Sequence, residues 1–408
     1  MYILFSLLLL LFYLYSFYRQ KDNLLLLPIF YTIIVAYSLI GTRFFSFAKE
    51  VPFDMFHKVN QVSSDIAATF FFVASISFFC GIKFLNFSSN PVVVNHNNPK
   101  FTFSKKIYDI SDFFKFSFYL VTLLSLIFGY GFEYLLERQG YVSTEGRIHS
   151  LLIIYMLTLP ITSFLLPFFK SNFVKIMLFI VLFAFIFGTT ARMLILLPFF
   201  YFVADFIKCR KVSLIKVLFL ISLLLFIVAF TLQFRNHAVQ GVFPNLLYLM
   251  NYGLDFSFVI LGINYILSYA FFATALGIQD FEFNQQAFLI SINPLPSVFL
   301  DIDYMLKSLS LNTNSPLTAI SVLSLGGYSL LVLFYFVTGY VFQKCNKFLF
   351  KKNRLLYMIA MVLFVMFTMF SVQYNLRGAV RLVYFIILLT FLAKLVNIFV
   401  FNYKRYFR

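Results

Sequence analysis

Long apolar runs broken by short polar or charged stretches set the pattern of this chain. A helix that crosses a membrane needs about 20 mostly apolar residues, within a range of roughly 17–25. Runs of that kind fall near 1–18, 24–41, 66–85, 113–131, 150–169, 173–189, 191–207, 214–234, 317–342, 354–372 and 380–401. They predict an all-α, polytopic integral membrane protein with about 11 transmembrane helices, organised as a single membrane domain over residues 1–408. The sixth and seventh spans are short and form a tight hairpin around Gly188-Thr189-Thr190-Ala191-Arg192. The first span does not read as a cleaved signal peptide, because it lacks a basic leading region and its charges, Arg19 and Lys21, follow the apolar run.

Composition sharpens this picture. Apolar types make up 62% of the chain and charged types 12%, with a mean hydropathy of +0.91. Soluble domains run nearer half apolar and a quarter charged. So apolar a chain cannot cover its surface in water, which excludes a soluble globular protein, a disordered chain and a nucleic-acid binder.

The net charge of +17 then becomes a question of sides. With the N-terminus outside and the C-terminus inside, the inner side carries 22 of the 32 Lys and Arg but only four of the 15 acids, Asp22, Asp109, Asp112 and Asp205. The split is +18 inside against −1 outside, which follows the positive-inside rule. The same bookkeeping sets the fate of Phe256–Ile278, which is apolar enough to span. A crossing there would turn Lys344–Arg354 outward, so we read it as a helix lying on or dipping into the outer surface, with Asn264, Tyr265 and Ser268 as its polar stripe. Residues 235–316 then form one long extracytoplasmic loop with surface helices, rich enough in Phe, Leu and Tyr to fold. Cys80, Cys209 and Cys345 all fall on the inner side, so no disulfide framework is implied.

The signatures of soluble enzymes are missing: no Walker loop, no GxGxxG after a strand, no HExxH and no paired CxxC. His57, His96, His149 and His237 are scattered without metal-ligand spacing, so neither a metal nor another cofactor is expected. What remains is the outer polar set. Inner cations are mostly Lys, whereas the outer ones are Arg43, Arg138, Arg147, Arg192, Arg235, Arg377 and Arg381 against three Lys. Orientation needs only charge, but gripping phosphate or carboxylate favours the planar guanidinium fork. The change from Lys to Arg points to an outer anion site.

Several positions stand out. Arg192 sits in a turn too short to leave the membrane, and Arg235 directly follows the eighth span in Phe234-Arg235-Asn236-His237. A snorkelling helix-end Arg is the competing reading for both. Arg377 and Arg381 lie one helical turn apart and can face the same way. Glu145, Arg147 and His149 alternate before the fifth span and offer a base, an anion grip and a proton carrier, with a solvated loop the plainer reading for Glu145 and His149. Asp301 and Asp303 follow Asn293-Pro294-Leu295-Pro296 and could supply a base or a sugar contact, although solvated loop acids are the plainer reading.

With these residues in view, the chain resembles the O-antigen and capsule repeat-unit polymerases of the Wzy type, which are related in architecture to the O-antigen ligases. The resemblance lies in the many spans, the long outer loop in the second half and the outward Arg. It extends to Gly188-Thr189-Thr190-Ala191-Arg192 before an apolar helix, and to Asn293-Pro294-Leu295-Pro296, Asn314-Ser315-Pro316 and Gly326-Gly327 entering the ninth span. One family motif, an Arg or His followed by ten residues and a Gly, is absent: the corresponding positions are Leu246, Tyr248 and Thr158.

The resemblance implies a metal-independent glycosyltransferase in the bacterial inner membrane, which joins undecaprenyl-diphosphate-linked oligosaccharide repeats on the outer face. Arg147, Arg192, Arg235, His237, Arg377 and Arg381 would contact diphosphate or glycan, and Glu145, His149 and Asp301 are the candidate bases. Membrane lipid and a chain-length regulator protein are the implied partners. A flippase for the same lipid-linked glycan and an O-antigen ligase are the alternatives. Against transport stands the scarcity of ionisable residues within the spans and the lack of a repeat.

Overall fold

The computed structural model describes residues 1–20, 22–45, 54–87, 111–139, 147–209, 214–234, 237–312, 315–352 and 354–406. Helices dominate. In chain order they are α1 (Tyr2–Gln20), α2 (Leu26–Ile40), α3 (Gln61–Phe87), α4 (Asp112–Tyr130), the single turn α5 (Phe132–Leu136), α6 (His149–Leu165), α7 (Asn172–Gly188), α8 (Leu196–Cys209) and α9 (Leu214–Phe234). There follow α10 (Val242–Tyr252), α11 (Phe256–Asp280), α12 (Gln285–Ile292), α13 (Ile302–Ser308), α14 (Ala319–Leu325), α15 (Gly327–Lys352), α16 (Arg354–Gln373) and α17 (Leu376–Tyr406). Two small antiparallel pairs join β1 (Arg138–Gln139) to β2 (Val239–Gln240) and β3 (Ser310–Asn312) to β4 (Ser315–Pro316).

Among the described residues, eight helical stretches are long and apolar enough to cross a membrane: 2–20, 23–44, 61–84, 112–130, 149–168, 256–280, 327–350 and 376–395. Four shorter apolar helices cover 172–188, 193–205, 218–234 and 359–373. The chain is a multi-pass membrane protein. It divides into two compact units, one made of residues 1–96 and 264–408 and the other of residues 97–263.

In the first unit the helix ends sort into two groups. At one end Lys83 donates to Gln20, and Gln343 donates to Asp22 at 3.2 Å. At the other, Arg43 pairs with Asp65 at 2.7 Å and Ala319 N–H reaches the Tyr374 carbonyl at 2.9 Å. Between them, α2, α15 and α16 are tied through the buried hydroxyls of Tyr31, Tyr335 and Ser371, at 2.7 and 2.8 Å. The part of α11 in this unit bonds at both of its ends to the second group of ends. Tyr37 donates to Asn264, Ser38 to the Leu267 carbonyl and Gln373 to the Tyr265 carbonyl, while Asn60 N–H reaches Gln279. This part of α11 therefore runs across the helix ends and not from one end to the other.

The ninth span differs from the expected 317–342. Residues 319–325 form the separate helix α14, capped by the Thr318 hydroxyl, and α15 starts afresh at Gly327 and runs to Lys352. The reason is local: Gly327 sits at φ +83°, a conformation that ends one helix before the next begins.

The α3/α15 crossing is close. A Cβ on Gly81 would lie 2.2 Å from the Phe336 carbonyl oxygen, and one on Gly339 would lie 2.4 Å from that of Phe78. Small residues let helix backbones meet in this way inside membranes. Gly339→Leu should therefore force the pair apart and lower the unfolding midpoint in detergent, by about 1–3 kcal/mol or more on the scale of overpacked cores. A variant that melts with the wild type would mean that the two helices part freely.

In the second unit α4 and α6 lie side by side, joined by Thr122 and Thr162 at 2.7 Å. The buried Lys115 donates to Asp112 at 2.9 Å and to the Phe168 carbonyl at 2.7 Å, beyond the end of α6. Positive charge at a helix C-terminus satisfies carbonyls that have no partner within the helix. The rings of Phe187 and Phe230 stack at 4.0 Å and hold α7 against α9.

Candidate functional site

The richest polar construction in the second unit is built around Arg138, which is only 6% exposed. It sits in β1, opposite Gln240 of β2. Its Nη1 donates to the Gly188 carbonyl at 2.5 Å. Its Nη2 donates to the Thr189 carbonyl at 3.1 Å, to Thr190 Oγ1 at 2.8 Å and to Gln240 Oε1 at 2.8 Å. These carbonyls close the C-terminal end of α7, where the helix cannot satisfy them itself. Gln240 in turn donates to the carbonyls of Phe234 at 2.9 Å and His237 at 3.1 Å. One guanidinium and one amide thus tie together three connections: the one after α4, the α7–α8 turn and the one after α9.

The turn depends on this hub. Thr190 has φ +52°, the one positive value outside glycine among the described residues. A β-branched residue adopts that conformation only when its surroundings over-determine it. The Thr190 hydroxyl, 2.9 Å from Gln240 Oε1 and bonded by Arg138, supplies that constraint. Gly188 allows the approach, since a Cβ there would meet the Leu135 carbonyl oxygen at 2.6 Å.

Arg147 joins the same region through aromatic rings. Tyr130 and Tyr134 stack at 6.0 Å, and the Arg147 guanidinium lies 5.2 and 5.1 Å from their centroids. It donates to the Tyr134 hydroxyl. The Arg138 guanidinium lies 4.7 Å from the same Tyr134 ring, so Tyr134 serves two cations by its π-face. Arg147 Nε is buried without a hydrogen-bond partner, and its Nη1 has none among the described residues. This guanidinium is held flat and oriented with donors to spare.

The other expected residues of this unit are placed as follows. Arg192 opens the 3-10 turn Arg192–Ile195 directly after the Arg138-held turn, while its side chain lies outside the described residues. His149 is the first residue of α6 and is exposed. The His237 ring packs 5.6 Å from that of Phe234 and 4.4 Å from that of Tyr248. Glu145 and Arg235 lie outside the described residues. Asp255, an acid of this unit outside the expected set, is engaged as a turn acceptor for Ser257 N–H at 2.9 Å, which holds its carboxyl below the usual range and makes it a poor base.

The remaining three belong to the first unit, where two of them have structural work. Arg377, expected at a diphosphate, is 4% exposed and spends its fork on backbone: Nη1 donates to the Ile290 and Asn293 carbonyls at 2.8 and 3.1 Å, Nη2 to the Leu295 carbonyl at 2.7 Å. It closes the C-terminal end of α12 and pins the Asn293-Pro294-Leu295-Pro296 turn. Asp301, expected as a base, caps α13 by accepting from Tyr304 N–H at 2.9 Å. Arg381 faces the same way as Arg377 and donates to Ser297 Oγ at 2.8 Å, with its other nitrogens unpartnered among the described residues.

The structure therefore gathers Arg147, the turn leading to Arg192 and the His237 segment around Arg138, and it leaves Asp301, Arg377 and Arg381 in the other unit. In the sequence Arg138 carries no spacing or motif that sets it apart from the other outer cations. No protein-family model, curated protein or solved structure matches the chain.

Proposed function

We propose that this chain is a membrane-embedded glycosyltransferase acting on a lipid-linked diphosphate sugar at the non-cytoplasmic face. More specifically, we read it as a Wzy-type polymerase of the bacterial inner membrane, joining undecaprenyl-diphosphate-linked oligosaccharide repeats into O-antigen or capsule-like polysaccharide. The observation that carries this reading is the pair of guanidiniums on Tyr134, with Arg138 buried as a support and Arg147 offering open donors at the helix ends. The charge asymmetry along the sequence, with 22 of the 32 Lys and Arg assigned to the inner side, supports reading that end as the outer one.

The chemistry needs few parts. A hydroxyl of the acceptor repeat attacks the anomeric carbon of the donor glycan, forming the new glycosidic bond as the bond to the diphosphate oxygen breaks. Negative charge grows on the leaving diphosphate, where fixed guanidinium donors stabilise it more than they stabilise the bound substrate. Arg147 fills that role, and Arg192 sits on the adjoining turn. The acceptor proton passes to a base, for which Glu145 and His149, flanking Arg147 in sequence, remain the candidates. An apolar cleft of about 360 Å³ between α7, α8 and α9, lined by Phe179, Phe183, Tyr201, Phe202, Phe219 and Leu223, would take part of the polyprenyl tail.

The decisive experiment is a gel of glycan chain lengths after deletion of the gene. The proposed activity leaves a single repeat on the lipid core and no ladder above it. Loss of even the single repeat would point to a flippase or a ligase and overturn the reading.

A further inference from the structure

The start of α17 grips a strap of chain along its own length. Arg377, Arg381 and Tyr384 stand at i, i+4 and i+7, one face of a helix. They hold the carbonyls of Ile290, Asn293 and Leu295, the Ser297 hydroxyl and the Ile292 carbonyl. Seven residues of helix cover about 10 Å. Residues 290–297 thus lie against the first two turns of a helix that is apolar enough to cross a membrane from Leu376 to Leu395. A segment fixed to the opening turns of a span sits at the depth where headgroups give way to acyl chains.

What the strap presents there is apolar. Val298 is 91% exposed and Phe299 72%, with Leu289, Pro294, Leu295 and Pro296 also exposed. The exposure is not that of a loose tip. Arg377 pins the backbone before it, and Phe299 and Leu300 N–H bond back to the Pro296 and Ser297 carbonyls at 3.1 and 3.2 Å. Further down α17, Phe385, Leu388 and Phe391 are exposed as well, as lipid-facing residues of a span should be. Arg381 stands beside the strap with nitrogen donors left over. Guanidinium at this depth reaches phosphate, and apolar side chains beside it reach acyl chains.

We propose that residues 293–299 are an interfacial anchor: Leu295, Val298 and Phe299 are immersed among acyl chains just beneath the phosphate layer, and Arg381 holds the phosphate of a bilayer phospholipid above them. Asp301, two residues beyond Phe299, caps α13 and turns the chain back towards water. The anchor rests on the chain being a membrane protein and not on the reaction assigned to it.

The absence of Trp from this chain makes the test clean. Phe299→Trp and Val298→Trp each place a single indole on the strap of the full protein, and Lys307→Trp places one on exposed α13 as a water reference. Each variant is reconstituted in phosphatidylcholine vesicles, with or without bromine on the acyl carbons nearest the headgroup. Fluorescence quenching by the brominated lipid is compared with quenching by aqueous iodide. The anchor predicts blue-shifted emission and several-fold stronger quenching by brominated lipid at 298 and 299, with the reverse preference at 307. Iodide quenching at 298 and 299 equal to that at 307 would overturn the proposal. Protection from both quenchers would also overturn it, because a protein surface would then cover the strap. Arg381→Gln should reduce co-purified phospholipid without changing the iodide protection, and unchanged lipid content would remove the phosphate contact.

Discussion

Arg138→Ala lowers the stability of the second unit by about 3–5 kcal/mol, the scale seen when one partner of a buried, bonded charge is removed. The loss is large because the guanidinium leaves behind four buried acceptors, for which the Thr190 hydroxyl is the other donor in reach, to the Thr189 carbonyl and Gln240 Oε1. The Gly188 and Thr189 carbonyls, Thr190 Oγ1 and Gln240 Oε1 all take a hydrogen bond from it, and an acceptor stranded away from water costs more than the bond itself was worth. The strained φ of Thr190 loses its constraint in the same step. Arg138→Lys should recover only part of the loss, since an ammonium cannot span Gly188 and Gln240 with a planar fork. Gln240→Ala should cost less, and in the double variant the two losses should fall well short of adding, because both residues act in one network. Unfolding midpoints of the four proteins in a single detergent check this. Additive losses would mean that Arg138 and Gln240 act separately.

The apolar helices were legible because apolar runs longer than a helix needs have no other use in such a chain: among the described residues eight stretches are long and apolar enough to cross a membrane, and four shorter apolar helices fall on other expected runs. The ninth span was misplaced for a readable reason. Residues 317–325 are as apolar as those that follow, and only the Gly326-Gly327 pair marks the break. The site was less legible. The i, i+4 spacing of Arg377 and Arg381 foretold a shared face, but the carbonyls that occupy Arg377 belong to a segment more than 80 residues away and carry no side-chain signal. Arg138 was passed over for the same reason. In sequence it sits near Glu133 and Glu137 and looks like one charge of a solvated connection, while its acceptors lie 50 to 102 residues distant, two of them backbone carbonyls and two side-chain oxygens. Charge patterning identifies which side an arginine faces. Only packing identifies whether its donors are already taken.

That distinction separates the two arginines on Tyr134 and gives the second large effect. On the proposed polymerase reading, Arg147→Ala should abolish the long glycan ladder while the protein stays folded and inserted. Arg147 makes a single side-chain hydrogen bond, to the Tyr134 hydroxyl, and two ring contacts. Its removal should cost about 1–3 kcal/mol, for two cation–π contacts and one hydrogen bond, and should strand no buried carbonyl. Nε is buried, but Nη1 has no partner among the described residues and is the donor left for a ligand, so the loss of Arg147 falls on the reaction more than on the fold. Arg147→Lys keeps the charge but gives up the flat guanidinium on the tyrosine rings, and should restore short chains ahead of long ones. The comparison with Arg138→Ala is the control: that variant should lose ladder and stability together, whereas Arg147→Ala should lose the ladder with a clearly smaller drop in unfolding midpoint. A normal ladder from Arg147→Ala would remove this guanidinium from the chemistry. The charge on the departing diphosphate would then have to be met by another group, with the turn at Arg192 the next place to look.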